Sequence, residues 1–246
     1  MRYLIVSDLH ANWEALQAVI EDAAGRYDQA LCCGDLVGYG ADPNAVVEWV
    51  RQNCAAVVRG NHDKACSGQE DLEWFNPVAR AAAGWTMRSL TPENARYTHN
   101  LPKGPLVVGN FEVLHGAPFD EDEYVLGAED AGQSFEYLER RLAFFGHTHV
   151  QGGFIWNHSR VETIPRTALR ASRQSMEVDG DCAYLINPGS VGQPRDGDPR
   201  AAYVLYDSDA GMVTYFRVPY DIGQAQKKIR GVGLPPILAD RLSLGR

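Results

Sequence analysis

The chain reads as an α/β protein whose sheet has a parallel core, and three patterns predict this. Up to residue 63, short apolar runs suited to buried strands alternate with amphipathic helical stretches, the rhythm of parallel sheets. Five such runs, at 3–6, 30–33, 55–58, 113–114 and 142–145, each lead into Asp, His or Asn. Open α/β sheets hold their ligands just beyond the carboxyl ends of strands, where those residues fall. Beyond His149 short runs are separated by turn formers, which predicts antiparallel strands.

In chain order, the first run leads into Ser7-Asp8-Leu9-His10. Asn12 can then cap a helix with Trp13, Leu16, Val19 and Ile20 on one face, ending near Gly25. The second strand brings up Gly34-Asp35, and Gly38 and Gly40 make the following loop flexible. Asp42-Pro43 has the cap-then-proline form of a helix start, with Val46, Val47 and Val50 as the apolar stripe. The third strand ends in Gly60-Asn61-His62-Asp63. Residues 64–104 carry helical signals at 78–90 and from Thr91-Pro92-Glu93. This insertion is placed either to cover a site or to pack on a sheet edge. Runs at 106–108 and 111–114 read as a hairpin leading to His115-Gly116. The acidic run 120–123 reads as a solvated loop and 128–141 as a helix, before the strand that ends in Gly146-His147-Thr148-His149. Strands follow at 153–157, 182–186, 201–206 and 212–218. The loop 187–200 is rich in Gly and Pro and long enough to imply a task of its own. From Asp221 onward the chain reads as a helix and a loose tail.

At 246 residues the chain can form one domain, 1–246, around one large core. Its net charge of −9, from 32 acids against 23 bases, argues against a grip on long nucleic acid. Five cysteines, without framework spacing, read as reduced thiols, with Cys32-Cys33 packed in a strand. The chain shows no basic-apolar leader and no long apolar span, so the expectation is a cytoplasmic protein that does not enter a membrane.

The ordered series Asp-x-His, Gly-Asp, Gly-Asn-His-Asp, His-Gly and Gly-His-Thr-His, over residues 8 to 149, resembles the calcineurin-like metallophosphoesterase superfamily. Asn187-Pro188-Gly189-Ser190 extends the likeness. The resemblance implies a four-layer sandwich of two mixed β-sheets flanked by helices. It also implies two divalent ions: Asp8, His10 and His149 on the first, Asn61, His115 and His147 on the second, and Asp35 bridging them. Such a mixed N/O donor set suits Mn, Fe, Zn, Co or Ni better than Ca. Asp8 and His10, like His147 and His149, are spaced i, i+2, which on a regular strand gives each pair one face.

The implied reaction is hydrolysis of a small phosphodiester or nucleotide by water that the ions acidify. His62 would protonate the leaving oxygen, and Asp63 would orient or charge it. Asn12 and Arg195 are candidate phosphate contacts, each with a simpler alternative: a helix cap for Asn12, a solvated side chain for Arg195. The competing functions are a phosphomonoesterase, including a protein phosphatase, and a non-catalytic scaffold of the same fold. Against the scaffold stands the intact Gly60-Asn61-His62-Asp63 block, since a scaffold has no need of a proton donor. His99 and His158 lie outside every motif.

Overall fold

A computed structural model describes residues 1–164 and 171–246. The opening alternation forms as expected: β1 (Arg2–Val6), α1 (Trp13–Ala23), β2 (Gln29–Cys32), α2 (Pro43–Asn53) and β3 (Cys54–Val57). The three strands pair in parallel in the order β3-β2-β1. Helix α3 (Asn61–Cys66) leads into the insertion, which supplies a 3₁₀ turn (Leu72–Trp74), α4 (Pro77–Ser89) and α5 (Pro92–His99). The hairpin β4 (Leu106–Val108) and β5 (Phe111–Val113) follows, then α6 (Ala128–Phe135) and β6 (Leu142–Phe144), which pairs in parallel with β5. The remaining strands are β7 (Gly152–Trp156), β8 (Val161–Thr163), β9 (Arg173–Glu177), β10 (Ala183–Asn187), β11 (Ala201–Asp207) and β12 (Met212–Val218). The chain closes with α7 (Ile222–Gly231), α8 (Pro236–Asp240) and a 3₁₀ turn (Arg241–Leu244).

Two six-stranded sheets result, β3-β2-β1-β11-β12-β9 and β4-β5-β6-β10-β7-β8. Both are mixed: β11 runs antiparallel to β1, and β10 is parallel to β6 but antiparallel to β7. Strand alternation decides the layers. Tyr3 and Ile5 point between the sheets, where they meet Phe111, Val113, Phe144 and Ile186. Leu4 and Val6 point the other way, onto Leu16 and Val19 of α1 and Val46, Val47 and Val50 of α2. On the far side Ala131 of α6 covers Ala143, Phe145 and Leu185. The order helix, sheet, sheet, helix is the four-layer sandwich expected. Among the described residues no helix is long and apolar enough to cross a membrane.

Several expectations are corrected. The loop after β2 is buried from Cys33 to Gly40, and the glycines at 38 and 40 serve close packing instead of flexibility. A Cβ on Gly38 would lie 2.7 Å from Nδ1 of His62. The helix expected over 128–141 stops at Phe135. Tight turns tie the amides of Glu136 and Tyr137 to Gln133 and Ser134, and the chain then swings out so that Glu139 N donates to the buried Glu112 carboxylate at 3.1 Å. Strands β8 and β9 went unread because both are sheet edges. In β9 the sequence Arg-Gln-Ser-Met-Glu is half exposed and offers no apolar run. Asp42 makes no side-chain cap, since its carboxylate accepts from Lys228 Nζ at 2.9 Å.

The tail is not loose. Leu234, Leu238, Ala239 and Leu242 are buried against Tyr39, Ala79, Ala82 and Ile229, so the C-terminus forms a wall behind the β2–α2 loop. Leu238→Ala should therefore cost about 2–5 kcal/mol, the range for emptying a fully buried leucine site. Urea unfolding of the variant measures this, and an unchanged midpoint would show that the tail adds nothing to the core.

Candidate metal centre

The polar residues at the strand ends do not continue the strands. Asp8, His10, Asp35, His147 and His149 have φ of 53°, 45°, 55°, 65° and 59°. All five are non-glycine residues in the left-handed region, at a cost of order 1–3 kcal/mol each. The i, i+2 pairs therefore do not share a strand face as expected; sharp turns aim each side chain inward. Cross-bonds between loops hold these turns. Asp8 N donates to Gly34 O, His10 N to Asp35 O and Ala11 N to Leu36 O, which extends the β1–β2 ladder past the strands. From the 187–200 loop, Ser190 Oγ and Gly192 N both donate to Asp8 O, at 2.7 and 3.0 Å. Asn187 Nδ2 donates to Gly146 O and Thr148 Oγ1, fixing the turn before His149.

The turns bring together two groups: Asp8, His10, Asp35 and His149, and Asp35, His115 and His147. Within each, one donor atom per residue lies within 4.8 Å of the others. Asp35 belongs to both. Its Oδ2 has no hydrogen-bond partner and stands 3.5 Å from His10 Nε2 and 3.6 Å from His115 Nε2. Asp8 Oδ2 and Asn61 Oδ1 are likewise buried without a partner.

Backbone carbonyls decide which imidazole nitrogen is free. Nδ1–H of His10 donates to Val37 O at 3.0 Å, and Nδ1–H of His149 to Gln193 O at 2.6 Å. Both Nε2 atoms are then bare lone pairs, and they face each other at 3.0 Å. In the second group Nδ1–H of His115 donates to Cys33 O, and Nε2–H of His147 to Asp122 O. The remaining nitrogens, His115 Nε2 and His147 Nδ1, face each other at 3.1 Å. Burial pushes the pKa values of His10, His147 and His149 far down, with neighbouring positive groups adding to the effect, so these rings are neutral. Burial also raises the Asp8 carboxyl to about 7, and Asp35, buried beside Asp63, is pushed well above the usual range.

Paired lone pairs beside unpartnered carboxylate oxygens repel unless a cation lies among them. A carbonyl behind each ring is the usual arrangement for a metal-binding histidine. The donor set fits divalent metal, and Asp35 is common to both groups.

The other expected site residues fall in different places. His62 lies outside both groups, 4% exposed, its ring 4.3 Å from Tyr39, 5.0 Å from His10 and 5.5 Å from Phe75 of the insertion. Its amide donates to Asp35 Oδ1, and Nδ1 is buried without a partner. Asp63 has no hydrogen bond to His62. Its carboxylate accepts from Leu36 N, Val37 N and Gly60 N, so it clamps the β2 and β3 loops together. Asn12 is spent within the fold: Oδ1 caps Ala15 N, and Nδ2 donates to Gly192 O and Tyr220 OH, which leaves nothing for phosphate. Arg195 is not a solvated arginine. It is half buried with Nε unpartnered, Nη2 donates to Gln193 Oε1, and the guanidinium lies 5.8 Å from the Tyr39 ring.

Sequence reasoning missed two aromatic residues here. Tyr39 packs on His10 and His62 from between Gly38 and Gly40, a flanking pair that marks close packing. Tyr124 stacks on His147 at 3.7 Å and 19°, and the acidic run before it concealed it. That run is a solvated loop at Asp120, Asp122 and Glu123, but Glu121 turns inward, 7% exposed and bonded to Arg59.

Comparison with known proteins places this geometry. A family model described as calcineurin-like phosphoesterase superfamily domain matches residues 1–211. An uncharacterized protein of Methanocaldococcus jannaschii is 36% identical over 259 residues, covering 98% of this chain and 97% of the relative. The crystal structure of a metallophosphoesterase from Sphaerobacter thermophilus superposes with TM-score 0.87 at 41% identity, covering 100% of this chain and 99% of that one. A hypothetical protein from Pyrococcus horikoshii OT3 shares the fold at TM-score 0.75 and 17% identity, with coverage of 100% and 98%. With the ordered motifs, the four-layer sandwich and the family match in agreement, the chain belongs to the calcineurin-like phosphoesterase superfamily.

Proposed function

We propose that the protein hydrolyses phosphoester bonds of small phosphodiesters or nucleotides at a two-metal centre, with Mn, Fe, Zn, Co or Ni as the ions. Asp8, His10 and His149 would hold one ion, Asn61, His115 and His147 the other, with Asp35 between them. The observation that carries this reading is the shared, unpartnered Asp35 Oδ2, set midway between two facing pairs of histidine lone pairs. Bound there, the ions supply Lewis acidity and a water whose pKa falls to near neutrality. Five free cysteines fit a reducing compartment, the cytoplasm.

The chain's own residues complete the chemistry. Arg195, with its buried and unpartnered Nε beside the site, would contact the phosphate. His62 would give its proton to the leaving oxygen. Burial, with Arg195 and His115 nearby, lowers His62 to about 3, so the free ring is neutral and would need an anionic phosphate beside it to gain that proton. Phe75 and Tyr39 keep water from the ring. Asp63 acts at one remove, by holding Gly60 and the β2 loop in place.

Chelation, reloading with Mn and a screen of mono- and diesters tests the reading. Diester turnover that returns with metal supports it, whereas turnover of monoesters alone favours the phosphatase alternative. No turnover of either class leaves the scaffold.

Asp35→Asn should strip metal from both sites, whereas His149→Ala should weaken mainly the ion shared with Asp8 and His10. Elemental analysis decides, and equal metal content in wild type and Asp35→Asn would rule out the bridge.

His62→Ala should leave metal content intact and cost about 10²–10⁴-fold in rate for alkyl or nucleoside esters, whose leaving oxygen needs a proton. Nitrophenyl esters, which leave as stable anions, should lose little. A uniform loss across a leaving-group series would assign His62 to phosphate positioning instead.

A further inference from the structure

Two cations bracket the Gly60-Asn61-His62-Asp63 turn, and both reach the same acidic loop. Arg59 donates from Nη2 to Glu121 Oε1 at 2.8 Å and from Nε to Oε2 at 3.0 Å. Lys64, with an 11% exposed side chain, pairs with Asp122 and lies 3.4 Å from Glu121 Oε1 and 3.8 Å from Glu70 Oε2. The loop they grip lies against the metal centre. Asp122 O accepts from His147 Nε2–H at 3.0 Å, the bond that leaves Nδ1 bare, and Tyr124 stacks on the same ring. Its other side rests on Gly116, where a Cβ would come within 2.6 Å of Glu121 O and Glu123 O, and Ala117 N donates to Glu123 O. The first ligand group has no such link, because Val37 and Gln193 orient its histidines.

We propose that Arg59 and Lys64 are positioning residues for the metal centre: by clamping the 120–124 loop they set the tautomer and orientation of His147. The inference rests on the two-metal reading above and adds a physical route between the insertion and one of its two ions. Helix α3 begins at Asn61 and contains Lys64, so one short segment supplies a ligand of that ion and steadies another through the loop. Glu121 is buried and shared by both cations, so removing Lys64 leaves it on Arg59 alone, unties Asp122 and frees the loop to shift. A partner behind a metal-bound histidine is typically worth about 10–100-fold in affinity.

The test measures zinc binding by competition with a chromophoric chelator for wild type, Lys64→Met, Lys64→Arg and Glu121→Gln. Lys64→Met keeps most of the apolar stem, and Glu121→Gln keeps the shape should the lysine variant fold poorly. Both should weaken one ion about 10–100-fold and spare the other, with Lys64→Arg near wild type. In a His147→Ala background, Lys64→Met should have no further effect on affinity. Equal weakening of both ions, no weakening, or a full effect in the His147→Ala background would each overturn the proposal. Long-range ¹⁵N–¹H correlation spectra, with and without zinc, read the ring directly: wild-type His147 should be the Nε2–H tautomer, and Lys64→Met should lose or mix it. An unchanged His147 tautomer in Lys64→Met overturns the positioning role. Wild type that takes up no zinc overturns the two-metal reading instead, and the spectra without zinc still decide the role of Lys64.

Discussion

The Asp35 carboxylate is where the loops of this protein meet. Oδ1 accepts from the His62 amide and so holds the β3 tip, while the Asp35 carbonyl accepts from His10 N and holds the β1 tip. Oδ2 is left to stand between His10 and His115 with no proton donor of its own. A buried carboxylate oxygen in that position is costly unless a cation satisfies it. Moving Asp35 would disturb three strand ends together.

Strain and cross-bonding go together around that group. Five polar residues sit in left-handed backbone, a conformation that persists only where the surroundings over-determine it. Here the surroundings are hydrogen bonds between loops far apart in sequence. The 187–200 loop contributes heavily, since Ser190 and Gly192 hold Asp8 O, Gln193 O orients His149 and Arg195 N donates to His149 O. Beneath it, buried Asp196 pairs with Arg217 and accepts from Gln151 N, which anchors the loop to β12. The length of this loop reflects the number of partners it has to reach.

The insertion has two tasks. Its α4 helix packs Ala79 and Ala82 against the C-terminal helices, while Phe75 and Lys64 reach the centre at His62 and the 120–124 loop. Of the two readings of that segment, packing is what these contacts show, and Phe75 brings the segment beside His62.

Much of this was legible in the chain, because an apolar run and the polar tip that ends it are neighbours in sequence. The strands that bear Asp8, Asp35, Asn61, His115 and His147, the Asn12 cap and the buried Cys32-Cys33 pair all follow from local pattern. Edge strands β8 and β9 did not, because half-exposed residues need no apolar run. Asp63, Asn12 and Arg195 show the limit at the site itself. Residue type allowed each of them a role toward substrate or acid, but Leu36 and Val37 engage Asp63, Gly192 and Tyr220 engage Asn12, and Arg195 is left with a free donor. The tautomers of the four histidines are set by the carbonyls of Val37, Gln193, Cys33 and Asp122. Every residue carries a carbonyl, so nothing in the sequence marks these four. The sequence thus determined which chemical groups arrive at the strand ends, and only the tertiary fold decided which atoms of those groups face one another.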